Sequence, residues 1–133
     1  MSEPMTVEVV SPERVLYSGR ATMVITRTAG GGELACQPGH AAFLGALTEC
    51  HTRVHLVDGT IEDIAVLGGF VEVSNNTVSI LSDAAELGSQ IDVERARRAK
   101  ERAEETLRHA HDAEAISALG RAHARLHAAG VTV

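Results

Sequence analysis

The texture of this chain changes once, near residue 87, and that break limits the fold more than any single motif. Before it Val, Ile, Thr and Gly prevail; after it Ala, Arg and Glu do. β-Branched residues suit pleated strands and lose rotamer freedom in helices, whereas Ala, Arg and Glu are strong helix formers. Charge breaks at the same place, with 11 acidic and 4 basic residues in 1–87 against 7 and 8 in 88–133. The economical reading is an α+β chain, β before α. We expect a flattened β-sandwich or barrel over 1–87 and an antiparallel two-helix hairpin over 88–133. A chain of 133 residues has room for one domain with a real core plus an appendage.

Alternation places the strands. Val7 and Val9 share one face with Thr6 and Glu8 opposite, and Ala21, Met23 and Ile25 alternate with Thr22, Val24 and Thr26. Thr52, Val54 and Leu56 are expected to face the core, leaving Glu49, His51, Arg53 and His55 on the wet side. Asp58-Gly59 predicts a hairpin turn into a strand over 61–67. Asn75-Asn76 predicts another between strands over 70–74 and 77–81, since both pairs accept the positive φ such turns need. Gly30-Gly31-Gly32 and Gly68-Gly69 predict tight turns or close backbone approaches.

In the second half Asp92 is a natural N-cap and Glu94 suits the first turn. Val93, Ala96, Ala99, Ala103, Leu107 and Ala110 then form one stripe at helical spacing. Asp112 caps a second helix with the stripe Ala115, Leu119, Ala122 and Leu126, and Gly130 marks its stop. Large apolar residues are few on this hairpin: Val93, Leu107, Ile116, Leu119 and Leu126. Its docking is therefore expected to have a narrow margin and to depend on a partner or ligand.

Several function classes are excluded early. Only three aromatic residues, Tyr17, Phe43 and Phe70, are available to stack on bases, and a net charge of −6 opposes binding to a phosphate backbone. No run approaches the ~18 apolar residues of a membrane span, and the N-terminus lacks the marks of a secretion signal. A soluble cytoplasmic protein is expected. Cys36 and Cys50 have no CxxC spacing, so neither a disulfide framework nor a zinc ribbon is expected. Phosphate-loop, nucleophile-elbow and zinc-protease motifs are missing. His51 with His55, and His123 with His127, share faces, but no third ligand has matching spacing. They read as solvated imidazoles rather than a metal site. No catalytic residue is expected.

The arginines carry more information. Arg95, Arg98 and Arg102 share one side of the first helix, where Glu94–Arg98 and Glu104–Arg108 are available as i,i+4 pairs. Arg121 and Arg125 share a side of the second. From residue 115 to 133 there is no acid, so these two repel one another and are expected to face an anion or an acidic partner.

Taken in order, these residues resemble the epsilon subunit of F-type ATP synthases. The similarity begins with Val9-Val10-Ser11-Pro12-Glu13-Arg14 and Tyr17-Ser18-Gly19. It continues through Gly32-Glu33-Leu34, Pro38-Gly39-His40-Ala41 and Gly68-Gly69-Phe70-Val71-Glu72-Val73, then residues 78–86. It ends with Ile91-Asp92 leading to Arg95-Ala96, the segment 99–104, and Ala118-Leu119 through Arg121-Ala122 to Leu126. The resemblance implies a non-catalytic central-stalk subunit, peripheral on the cytoplasmic face of the membrane. Its β domain would pack on the gamma subunit and touch the loops of the membrane ring, coupling ion-driven rotation to ATP synthesis. Its hairpin would move between a compact form and an extended form that reaches the alpha and beta subunits and blocks ATP hydrolysis.

Carried over by residue, the resemblance implies ring contact through Glu33, Leu34, Pro38, Gly39 and His40. Cys36-Gln37 stand where the family usually shows an apolar pair, and Ala42 where proline is usual. It also implies a regulatory ATP site on the pattern Ile91, Asp92, Arg95, Ala96, with Glu86, Arg102, Arg121 and Arg125. In the extended form Arg108, Arg121 and Arg125 would meet the alpha and beta subunits. No cofactor is required. The alternative is a free-standing β-sandwich module whose hairpin binds ATP or an acidic protein.

Overall fold

The computed structural model describes residues 3–131; residues 1–2 and 132–133, at the outer ends of the two expected domains, lie outside it. Seven strands lead into two helices. The strands are β1 (Met5–Val10), β2 (Val15–Arg27), β3 (Glu33–Cys36), β4 (Phe43–Leu56), β5 (Ile61–Ser74), β6 (Thr77–Leu81) and β7 (Ala85–Leu87). A 3-10 turn at Gly88–Gln90 connects them to α1 (Val93–His109) and α2 (Ala113–Ala128). Five strands close a barrel in the order β1-β6-β5-β4-β2, with β2 returning to β1; β3 extends from β2 and β7 adds to β5. The β-then-α architecture expected from the texture of the sequence is present.

Alternation reads well where pairing is regular. Val7 and Val9 are fully buried, as are Thr52 and Val54, and Leu56 packs at the edge of the core. Asn75 and Asn76 have φ of 51° and 58°, the positive values of the expected hairpin turn, and Gly59 has φ 91°. Elsewhere the backbone departs from a simple period of two. The pairing of β2 with β4 shifts between Ala21 and Met23. One extra residue moves every later side chain to the other face. Ala21 is buried, but beyond the shift Val24 and Thr26 are buried instead of Met23 and Ile25. The buried Thr26 hydroxyl is satisfied by that of Thr52, 2.8 Å away.

The strands expected over 61–67 and 70–74 are one strand, β5, bent at Gly68 and Gly69 (φ 96° and 120°). A Cβ at Gly69 would lie 2.0 Å from the Leu81 carbonyl oxygen, so the bend needs glycine for space as well as for φ. At this point β5 changes partner, from β7 at Ile64–Val66 to β6 at Phe70–Ser74.

The hairpin folds against the barrel through α2, which packs on β4 and β5 with one side and on α1 with the other. Both helices are capped as expected: the Arg95 amide donates to Asp92 Oδ1 at 3.1 Å, and the Ala115 amide to Asp112 Oδ1 at 2.9 Å. At the far end Gly130 takes φ 83°. There the Gly130 and Val131 amides donate to the carbonyls of His127 and Leu126, closing α2 with a Schellman motif. The α2 stripe is wider than periodicity gave. Ala115, Ala122 and Leu126 are buried, and so are Ala124 and Ala128.

Of the five large apolar residues on the hairpin, Leu126 alone is fully buried and Ile116 stays 45% exposed. Docking thus relies on small residues and close backbone approach. The tightest contact is at Gly88, where a Cβ would lie 2.2 Å from the Ala128 carbonyl oxygen. The outer face of β4, expected to be wet, is half-buried at Glu49, His51, Arg53 and His55, and the first three line a groove shared with α2.

Candidate functional site

Between the two helices and the end of the barrel runs a groove of about 660 Å³, within the range of small-molecule sites. Its walls bring together seven of the eight residues expected at an ATP site: Glu86, Asp92, Arg95, Ala96, Arg102, Arg121 and Arg125. Ile91 is not on the wall; its amide closes the 3-10 turn on the Gly88 carbonyl at 3.4 Å. Gln90, Thr106, Asp112 and Glu114 line the same space and were not picked out from the sequence as site residues. No spacing rule links them, since they come from separate segments that only the antiparallel packing of α1 on α2 brings together.

The expectation that Arg121 and Arg125 lack an intramolecular partner is corrected. Arg125 Nε lies 2.6 Å from Glu86 Oε1 of β7, and Arg121 Nη2 lies 2.7 Å from Glu114 Oε1 in the first turn of α2. Tertiary packing supplies one acid and the seven-residue reach along the helix supplies the other. On α1 the pairing is also shifted: Arg97 pairs with Glu94, Lys100 with Glu104 and Arg108 with Glu105, in place of Glu94–Arg98 and Glu104–Arg108. Among the described residues, no carboxylate is within ion-pair distance of Arg95, Arg98 or Arg102. The groove therefore holds two engaged and two unengaged guanidinium groups, Arg95 and Arg102 being the latter. Several fork-shaped donors converging on one space suit a polyanion such as a phosphate chain. Arg108 lies outside this groove, on the exposed face of α1.

The five residues expected at the membrane ring lie along β3 and the turn after it. Glu33 is within 3.9 Å of both Arg27 and Arg53. Leu34 is half-buried against the core. Pro38 and Gly39 fill the centre of a turn in which the His40 amide donates to the Gln37 carbonyl at 3.0 Å, and Gly39 has φ 84° as that turn requires. The Gly39 amide donates to Asn76 Oδ1, tying the turn to the β5–β6 hairpin. Glu33 and the Pro38–Gly39–His40 turn thus stand at opposite ends of a four-residue strand.

Cys36 and Cys50 are both free and buried, and burial pushes the Cys36 thiol up. Among the described residues, no helix is long and apolar enough to cross a membrane.

A small β-barrel with a helical hairpin folded on it, and an arginine-lined groove at their junction, defines the class of chain. Family profiles give it a place. One described as the β-sandwich domain of the ATP synthase delta/epsilon chain matches residues 4–88, and one described as its long α-helix domain matches residues 89–130. The chain belongs to the ATP synthase delta/epsilon family. Within that family its curated relatives carry the narrower name ATP synthase epsilon chain. That of Brevibacillus brevis is 48% identical over 103 residues, covering 77% of each chain. That of Ligilactobacillus salivarius is 42% identical over 106 residues, covering 80% of this chain and 76% of the relative. The fold is shared with a chain in the mitochondrial ATP synthase of Euglena gracilis, solved as an OSCP/F1/c-ring assembly. The TM-score is 0.82 at 21% identity, over 97% of this chain and 82% of that one.

Proposed function

We propose that this chain is a non-catalytic rotor subunit in the central stalk of an F-type ATP synthase. Its barrel joins the gamma subunit to the membrane ring and so couples ion-driven rotation to ATP synthesis. Its hairpin restrains ATP hydrolysis when it leaves the barrel and reaches the alpha and beta subunits, and ATP in the inter-helix groove favours the docked form. In this reading the complex works at the cytoplasmic face of the membrane, and the chain itself hydrolyses nothing.

The observation that carries this reading is the groove. Arg95 and Arg102 from α1 and Arg121 and Arg125 from α2 share one space, so a triphosphate there would bridge the helices and screen their mutual repulsion. A ligand shifts such an equilibrium only by its differential affinity, and a site made of both helices is complete only while the hairpin is closed. The small apolar burial on the hairpin keeps the two arrangements close in energy. Hairpin release would also break the Arg125–Glu86 bridge and so free Arg125, which is proposed to meet the catalytic subunits alongside Arg108 and Arg121, while Arg121 keeps Glu114 on its own helix.

The barrel offers a surface for gamma. Phe70 pairs across the sheet with Ala46 and with Leu81, and Leu44, Phe70 and Leu81 are each at least half exposed. Such a row of outward apolar side chains fits a protein partner. The test is capture of the tagged chain from its native membranes, with the alpha, beta and gamma subunits expected to accompany it. Phe70→Glu is expected to weaken gamma capture roughly tenfold or more with an unchanged melting temperature. Capture of the wild-type chain free of all three subunits would overturn the assignment.

A further inference from the structure

We infer that the seam between α2 and the outer face of β4 is an acid-sensitive latch, in which His127 of the hairpin, stacked on His123 and facing His51 of the barrel across one groove, holds the helix down only while its imidazole is uncharged. The seam is a second groove, on the side of α2 away from the arginine groove, and all three histidines line it. His123 and His127 stack with ring centroids 6.1 Å apart and an interplanar angle of 27°. Stacking of this kind tolerates neutral rings and is opposed once both are charged. His51 Nε2 lies 2.6 Å from Asp63 Oδ1 of β5. Four residues along the same face of β4, His55 has a buried Nε2 with no hydrogen-bond partner among the described residues.

Among the described residues, no charged group facing the seam is within ion-pair distance of His123 or His127. From β4 the groups facing it are Glu49 and Arg53, from β2 Arg27, and from β3 Glu33. Glu33 is shared by Arg27 and Arg53, and Asp63 is engaged by His51. Glu49 Oε2 receives the Thr48 hydroxyl at 3.2 Å. Beyond the groove, Arg125 of α2 is taken by Glu86 of β7. Contact here is made by Gly120 and Ala124, small residues with little apolar area to offset charge.

The direction follows from His127. Burial first, then His123 and His51, hold its imidazole below the ordinary value of 6.5. A group that binds its proton less readily when docked favours docking above its free value, and that contribution is lost as pH falls through the docked value. Acidification below about 6.5 therefore releases α2.

The inference shares with the proposed function the premise that the hairpin can leave the barrel, but it needs no partner subunit. The isolated full chain therefore tests it even where the stalk assignment fails. Dyes are placed at Ser18→Cys on β2 and Ala110→Cys at the hairpin tip, both exposed; the native cysteines are buried. Energy transfer is followed from about pH 8 to about pH 5.5. The ratio of docked to released hairpin is expected to fall roughly two- to fivefold at the acid end, with circular dichroism unchanged. H123Q/H127Q is expected to flatten the response and H51Q to reduce it, while H109Q/H111Q, outside the seam, leaves it intact. A flat wild-type profile overturns the latch, and so does an undiminished response in H123Q/H127Q.

Discussion

Replacing Gly88 by alanine is expected to release the hairpin and leave the barrel folded. Gly88 opens the turn after the last strand, with its Cα against the end of α2. A Cβ there would lie 2.2 Å from the Ala128 carbonyl oxygen and 3.0 Å from its carbonyl carbon. These are backbone atoms of a hydrogen-bonded helix end, so no rotamer change relieves the clash. The next contact, 3.1 Å to the Asp63 carbonyl oxygen, needs only a small local shift, so the penalty falls mainly on the docked form. Overpacking of this kind costs about 1–3 kcal/mol. That shifts the docked-to-released ratio roughly 5- to 150-fold, in an arrangement anchored by one fully buried large side chain, Leu126. Gly120→Ala is the control. Its Cβ would meet Glu49 at 3.6–3.8 Å, an ordinary contact, and alanine improves the helix by about 1 kcal/mol. Energy transfer between barrel and hairpin tip is expected to fall in Gly88→Ala and to hold or rise in Gly120→Ala. Unchanged transfer in Gly88→Ala would mean that the Gly88–Ala128 approach does not decide docking.

Removing a single unengaged arginine from the groove is expected to abolish most of the affinity proposed for ATP, at no cost to docking. Arg102 lines the inter-helix groove and has no carboxylate partner among the described residues. A charge-assisted hydrogen bond to phosphate is worth about 1.5–3 kcal/mol. Arg102→Ala is thus expected to weaken ATP binding roughly 10- to 150-fold in a calorimetric titration, with the hairpin still docked. Arg125→Ala behaves differently, because it also breaks the 2.6 Å bridge to Glu86 that ties α2 to β7. It is expected to lose ATP binding and docking together. Equal ATP affinity for wild type and Arg102→Ala would remove the groove as the nucleotide site.

How much of this was legible before the structure depends on whether the signal was local. The turns at Asp58-Gly59 and Asn75-Asn76, and the caps at Asp92 and Asp112, are decided within four or five residues, and each is where the sequence puts it. The reversal of faces after Ala21 was not legible. A bulge is fixed by the partner strand, and Met23 and Ile25 are as suitable for a core as Val24. Strands β3 and β7 are short additions to the edges of longer strands, with too few residues to show a period. Half of α2 was legible: Ala115, Ala122 and Leu126 follow helical spacing, but burial of Ala124 and Ala128 depends on the barrel beneath them. His123 and His127 read as a solvated face for the same reason. The arginine groove was legible as a set of residues, through the family resemblance. Its ion pairs were not, since Glu86 lies 39 residues before Arg125 in the chain.

On the proposed function, the docked hairpin is a brake held in reserve. This is tested most directly by ATP hydrolysis in a reconstituted alpha–beta–gamma head, supplied with either the full chain or a version ending at Gln90, which keeps the whole barrel. Both are expected to bind the head, and the full chain alone to slow hydrolysis. Equal hydrolysis with the two, both bound, would contradict it.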